Sequence, residues 1–180
     1  MSKKILVLST SPRTGGNSET LADAFIKGAK EAGHEVKKIC LYDKKIEFCK
    51  GCLACQTTEK CILHDDAAGI VEQMKAADAL VFATPIYFYE MSGQMKTLLD
   101  RTNPLFPAEY RFRDIYLLAA SADEEESSME VAVKGLEGWI SCFEKSHLAG
   151  VVRGTGADKK GQIENCTRAV SAAYEMGKNS

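Results

Sequence analysis

Apolar residues gather in four short, continuous runs: Ile5-Leu6-Val7-Leu8, Leu80-Val81-Phe82-Ala83, Ile115-Tyr116-Leu117-Leu118 and Leu148-Ala149-Gly150-Val151-Val152. A strand covered on both faces needs apolar side chains at successive positions, so these runs predict strands of a parallel sheet covered on both faces. The segment 34–41 alternates more, with Val36, Ile39 and Leu41, and suits an edge strand. Between the strands the apolar spacing changes to that of helices: Leu21, Phe25, Gly28, Ala29, Ala32; then Ala67, Ile70, Val71, Met74; then Met95, Leu98, Leu99. Met129, Val133, Leu136, Ile140 and Phe143 follow the fourth strand, and Ile163, Cys166, Val170 and Ala173 close the chain.

Strand and helix therefore alternate five times. Parallel neighbours need crossovers, and right-handed crossovers put helices on both faces, so the pattern predicts a three-layer, doubly wound α/β fold. Ligands in such sheets bind at the carboxyl ends of the strands beside the topological switch. Function is thus expected in the loops after the first, third and fourth strands. No repeat, low-complexity tract or linker divides the 180 residues, and residues 1–180 are read as one domain.

Composition narrows the partners. The chain is 45% hydrophobic and 27% charged, ordinary for a packed globular protein. A net charge of −2 supplies no field for nucleic acid or an anionic membrane surface. The start, Met1-Ser2-Lys3-Lys4, precedes only Ile5 to Leu8 as an apolar run, well short of the roughly 7–15 residues of a signal core. No stretch approaches the ~20 apolar residues of a membrane span, so a cytoplasmic location is expected.

After the first strand comes Ser9-Thr10-Ser11-Pro12-Arg13-Thr14-Gly15-Gly16-Asn17-Ser18, then a helix. Small hydroxylated residues and glycines leave backbone N–H groups free to converge, and the helix N-terminus adds partial positive charge. Arg13 offers a cationic fork, and Ser11, Asn17 and Ser18 offer further donors, so the loop reads as an anion site. The plainer alternative makes Ser18 a helix cap, Gly15-Gly16 a turn and Arg13 a solvated charge. Neither Gly-x-Gly-x-x-Gly nor Gly-x-x-x-x-Gly-Lys is present, which excludes the usual dinucleotide and nucleoside-triphosphate loops.

Ser11-Pro12-Arg13-x-x-Gly16-Asn17-Ser18, with Leu21 behind it, resembles the phosphate loop of the NADPH-dependent FMN reductase family. The resemblance implies a flavodoxin-like fold of five parallel strands in the order 2-1-3-4-5. It also implies FMN as cofactor, NAD(P)H as reductant, and Ser11, Arg13, Asn17 and Ser18 around the FMN phosphate, with Ser9 and Gly16 in the same loop. Position 10 is Thr where many relatives have Gly.

The third strand leads into Thr84-Pro85-Ile86-Tyr87-Phe88-Tyr89. Pro85 is expected to end the strand, and the aromatic cluster offers flat faces for a planar ring or, alternatively, fills core or an interface. By resemblance, Pro85, Ile86, Tyr87 and Phe88 border the isoalloxazine, with Thr84 beside them, while Ser121 after the fourth strand reaches its far edge. Lys96, Asp100 and Arg101 lie on a helix face of mixed charge, which is usually solvated or locally paired, and are left outside the site.

Four of seven cysteines crowd into Cys49-x2-Cys52-x2-Cys55-x5-Cys61. In a reducing compartment this spacing signals metal or redox chemistry. The thiols suit a [4Fe-4S] cluster, free or disulfide-forming thiols, or structural zinc. The spacing is similar to the compact motif of the iron-sulfur flavoproteins, a branch of the same superfamily. That resemblance implies a [4Fe-4S] cluster near FMN and a homo-oligomer, a homodimer or homotetramer. Cys40, Cys142 and Cys166 fall in apolar patterns and read as buried small hydrophobes. His34, His64 and His147 stand alone, so no general acid or base is named.

The expected function is electron transfer from NAD(P)H, or from a ferredoxin-like donor, through FMN. Acceptors in view are a quinone, a free flavin, a metal ion or a one-electron redox protein. A non-catalytic flavodoxin-type carrier and a thiol or iron-sulfur redox sensor are the alternatives.

Overall fold

The computed structural model describes residues 2–180; Met1 of the expected domain lies outside them. The elements run β1 (Lys4–Ser9), α1 (Asn17–Glu31), β2 (Glu35–Cys40), α2 (Cys55–Thr58), α3 (Asp66–Ala76), β3 (Ala79–Tyr87) and β4 (Glu90–Met91). They continue with α4 (Gly93–Asp100), β5 (Asp114–Ala120), α5 (Glu130–Ile140), β6 (His147–Gly154) and α6 (Thr167–Lys178). Five strands pair in parallel in the order β2-β1-β3-β5-β6, which is the expected spatial order once the short β4 takes a number.

The continuous apolar runs serve two faces. Leu6, Leu8, Leu80 and Phe82 pack against α3, α4 and α5, while Ile5, Val7, Val81 and Ala83 pack against α1 and α6. Both layers exclude water from the sheet, which is why the inner strands lack polar alternation. Helices α1 and α6 approach until backbone meets backbone. A Cβ on Gly28 would lie 2.0 Å from the Tyr174 carbonyl oxygen, and one on Gly177 would lie 2.0 Å from that of Phe25.

One expectation about β3 needs correction. Pro85 does not end the strand: it pairs with Ala120, and β3 continues to Tyr87 before turning back into β4. Proline fixes φ near the extended range and removes one donor, which a strand tolerates close to its end. The β3–β4 hairpin then turns on Phe88 and Tyr89, with φ of 51° and 66°.

Chain direction across the sheet reverses between β1 and β3, so a crevice opens at their carboxyl ends. The loops 10–16 and 84–92 meet there.

Candidate functional site

The loop after β1 is built around its own small residues. Ser11 Oγ donates to the Arg13 carbonyl at 2.7 Å, and Gly16 N–H donates to the same carbonyl at 3.0 Å. Gly15 adopts a positive φ of 66°, and its N–H donates to Glu19 Oε2 at 2.6 Å. A Cβ at Gly16 would stand 2.3 Å from Ser11 Oγ and 3.0 Å from the Arg13 carbonyl, so the cradle closes only around glycine.

Helix α1 begins at Asn17 with Gly16 at its N-cap and no side-chain cap, which removes the capping role weighed for Ser18. Its first internal bond is Thr20 N–H to the Gly16 carbonyl at 2.9 Å. The N–H groups of Asn17, Ser18 and Glu19 therefore lack helical acceptors. Ser18 Oγ and Ser9 Oγ are buried without partners. Arg13 is exposed.

Asn17 holds a different job from the one its residue type suggested. Its amide nitrogen donates to the carbonyls of Ala157 (2.7 Å) and Lys159 (3.0 Å), and its oxygen accepts from Ile163 N–H at 3.3 Å. These bonds dock the loop after β6 against the loop after β1. What Asn17 leaves free is its backbone N–H.

A cavity of about 180 Å³ occupies this crevice. Ser11, Arg13, Gly16, Asn17 and Ser18 form one wall, and Pro85, Ile86 and Tyr87 form another. Ser9, Thr84, Ser121 and Phe88 lie off the lining. Thr84 hydroxyl donates to the Pro85 carbonyl at 2.9 Å and accepts from Ser92 N–H at 3.0 Å, while Ser92 hydroxyl donates to Thr10 Oγ1 at 2.9 Å. This fully buried chain of hydroxyls ties β1, β3 and α4 together. Ser121 Oγ accepts from Asp123 N–H at 3.0 Å, shaping its own turn. Phe88 is 100% exposed at the hairpin tip, and Tyr87 and Tyr89 are exposed too, so the aromatics do not fill core. Ala120 and Ala122, which flank Ser121 after the fourth parallel strand, line the cavity too, as do Ala157 and Asp158, which went unnoticed in the sequence. A loop after the last parallel strand was the available signal for Ala157 and Asp158.

Below the loop lies a charged cluster. Burial alone would push the Glu19 carboxyl up, but the Gly15 N–H, Lys38 at 3.1 Å and the Cys40 thiol outweigh it and hold it below the usual carboxylate range. Burial and the neighbouring Glu19 push the Cys40 thiol up to about 11.

A second, narrower cavity, about 30 Å³, is lined by all four clustered cysteines. Cys55 is buried at the start of α2, Cys61 is half-buried, and Cys49 and Cys52 are exposed; none is in a disulfide. Leu53 and Gly51 bend the chain with φ of 58° and 62°, turning the tight Cys-x2-Cys spacing inward. Among the described residues no three His, Cys, Asp or Glu side chains stand close enough to grip one metal ion. Arg101 lines the same cavity. Its side chain has no exposure, so the solvated role expected from its helix is overturned; Lys96 and Asp100 do pair locally on the exposed face, at 2.6 Å. Cys40 and Cys166 are only half-buried and Cys142 is exposed, which corrects their reading as buried hydrophobes. No helix among the described residues is long and apolar enough to cross a membrane.

A doubly wound sheet with an anion cradle at its switch point and a thiol-lined cavity beyond β2 defines a flavodoxin-like redox protein. The chain belongs to the NADPH-dependent FMN reductase family, whose profile matches residues 3–150. FMN is its cofactor and NAD(P)H its reductant, which makes it a flavin-dependent oxidoreductase.

The relatives agree with that assignment. An iron-sulfur flavoprotein of Methanosarcina thermophila is 29% identical over 155 residues, 82% of this chain and 81% of that protein. One from Methanocaldococcus jannaschii is 30% identical over 151 residues, 82% of this chain and 75% of its own. Further archaeal iron-sulfur flavoproteins match over only 43–55% of their own length. Among solved structures, an azoreductase from Bacillus anthracis superposes with a TM-score of 0.75 across 100% of both chains at 20% identity, a likeness of fold.

Proposed function

We propose that this chain reduces a small-molecule acceptor of the quinone type, or a one-electron redox protein, with NAD(P)H as donor and FMN seated between residues 9–18 and 84–88. The observation behind this reading is the buried Ser18 Oγ, unpartnered on the wall of the 180 Å³ cavity, beside a glycine cradle that any Cβ would fill. A buried hydroxyl without a partner costs about 1–3 kcal/mol, and a phosphate oxygen would relieve that cost.

FMN, when bound, supplies hydride acceptance at its N5 and onward release of electrons. The chain's own part is placement. Ser11 shapes the cradle, Ser18 Oγ and the N–H groups of residues 17–19 would donate to the phosphate, and Arg13 would close over it from solvent. Asn17 would contribute through its N–H while its side chain braces Ala157. Ser9 and Thr84 would support the cradle from behind, and Ser121 would set the turn at the ring's far edge. Pro85, Ile86 and Tyr87 would wall the ring, leaving the face near exposed Phe88 open to nicotinamide.

The cysteines support a [4Fe-4S] cluster bound by Cys49, Cys52, Cys55 and Cys61. Four thiols lining one cavity are the donor set that such a cluster takes. A cluster, when bound, would supply one-electron transfer. The exposed Phe48 and Leu53 support a homo-oligomer that covers them.

Steady-state oxidation of NADPH by FMN-loaded protein tests the reading. Acceptor-dependent turnover with a quinone is the expected result. Absence of turnover with every acceptor class would overturn the reductase reading in favour of a flavodoxin-type carrier.

A further inference from the structure

Helix α4 ends at Asp100, and the next side chain turns inward. One Arg101 Nη donates to Asp65 Oδ2 at 2.6 Å and to the Glu47 carbonyl at 2.7 Å. The other donates to Asp65 Oδ1 at 3.0 Å and to Cys61 Sγ at 3.3 Å. Nε is buried without a partner. Asp65 is itself nearly buried, caps α3 through Ala67 N–H at 3.1 Å, and accepts Glu47 N–H at 2.8 Å.

Burying a guanidinium costs several kcal/mol even when it is paired, and apolar residues of like volume tie helices together as well or better. Fastening α3 to α4 therefore does not account for an arginine here. An apolar pair cannot aim an N–H at a sulfur or hold a positive charge beside four thiolates. Hydrogen bonds to the sulfurs and local net charge are the means by which a protein sets an iron-sulfur potential.

We propose that Arg101 is a positioning residue for the cluster. It orients the Cys61 sulfur and, through its N–H···S bond and buried charge, raises the cluster's reduction potential. Asp65 sets how much of that charge the cluster feels. This rests on the [4Fe-4S] reading above. It assigns opposite effects to two neighbouring side chains: loss of Arg101 lowers the potential, and neutralising Asp65 raises it. A merely structural pair would move both variants alike, or neither.

The test uses the full chain, loaded with FMN and reconstituted anaerobically with iron and sulfide. Iron, sulfide and the potential by spectroelectrochemical titration are measured in the native protein, Arg101→Gln and Asp65→Asn. The expected result is a native chain with iron and sulfide in cluster ratio. In Arg101→Gln the balance between reduced and oxidised cluster should fall about tenfold, which is about 59 mV for a one-electron couple. In Asp65→Asn it should shift the other way. If Arg101→Gln fails to fold or load, Asp65→Asn decides alone, with a raised potential in support and an unchanged or lowered one against. A loaded native chain whose variants are unchanged, or shift in the same direction, overturns the role of Arg101. A native chain that takes up no iron or sulfide overturns the cluster reading itself.

Discussion

Ser18 and Arg13 show how differently two residues of one motif can be seated. Ser18 is buried with an idle hydroxyl, whereas Arg13 stands in solvent at the mouth of the same cavity. Charge-assisted hydrogen bonds contribute about 1.5–3 kcal/mol each. Arg13→Ala should therefore weaken FMN roughly ten- to a hundredfold, measured by quenching of flavin fluorescence, and Ser18→Ala should do so by less. Glu19 sets a pH dependence. Its folded carboxyl titrates below the usual range, so its contribution is complete above the unfolded pKa of about 4.3 and is lost as pH falls through the lower folded value. Thermal melts from pH 7 downward should show Glu19→Gln losing less stability on acidification than the native chain. Residue type and place after the first strand marked out Ser11, Arg13 and Gly16 in the loop and Ser18 on the first turn of α1. Residue type failed at Asn17 and Arg101, because an amide and a guanidinium can serve backbone or core as readily as ligand, and sequence does not say which way they turn.

Elements were easier to read than contacts between them. Continuous apolar runs revealed four of the five parallel strands, and the alternation over 34–41 revealed the fifth, the edge strand β2, because burial leaves a plain mark. The β3–β4 hairpin left none: Phe88 and Tyr89 hold positive φ without the Asn-Gly signature of such turns. Each L-residue there bears about 1–2 kcal/mol of strain. Replacing the pair by Asn-Gly should raise the melting temperature by several degrees, at about 2–4 °C per kcal/mol for a chain of this size, while the open face beside the flavin changes. The α1–α6 contact was equally silent. Gly177→Ala would drive a Cβ against the Phe25 carbonyl, and overpacking of this kind costs about 1–3 kcal/mol, visible as a lowered urea midpoint with an unchanged slope.

At the scale of the whole molecule, the sheet brings four separate stretches, 11–18, 85–87, 120–122 and 157–158, to one crevice. The first three were recognisable from their place after buried strands. The fourth was not: Asn17 docks it by donating to the Ala157 and Lys159 carbonyls, a contact that sequence does not display. The thiol cavity lies on a different stretch of chain, beyond β2, and is lined by Cys49, Cys52, Cys55 and Cys61. Reduction of the flavin by NADPH is the most direct observable. Anaerobic titration of FMN-loaded protein with NADPH, followed in the visible spectrum, should bleach the flavin bands with one equivalent of reductant and restore them on adding a quinone. Flavin that stays oxidised in excess NADPH, or that binds Gly16→Ala as tightly as the native loop, would contradict the proposed function.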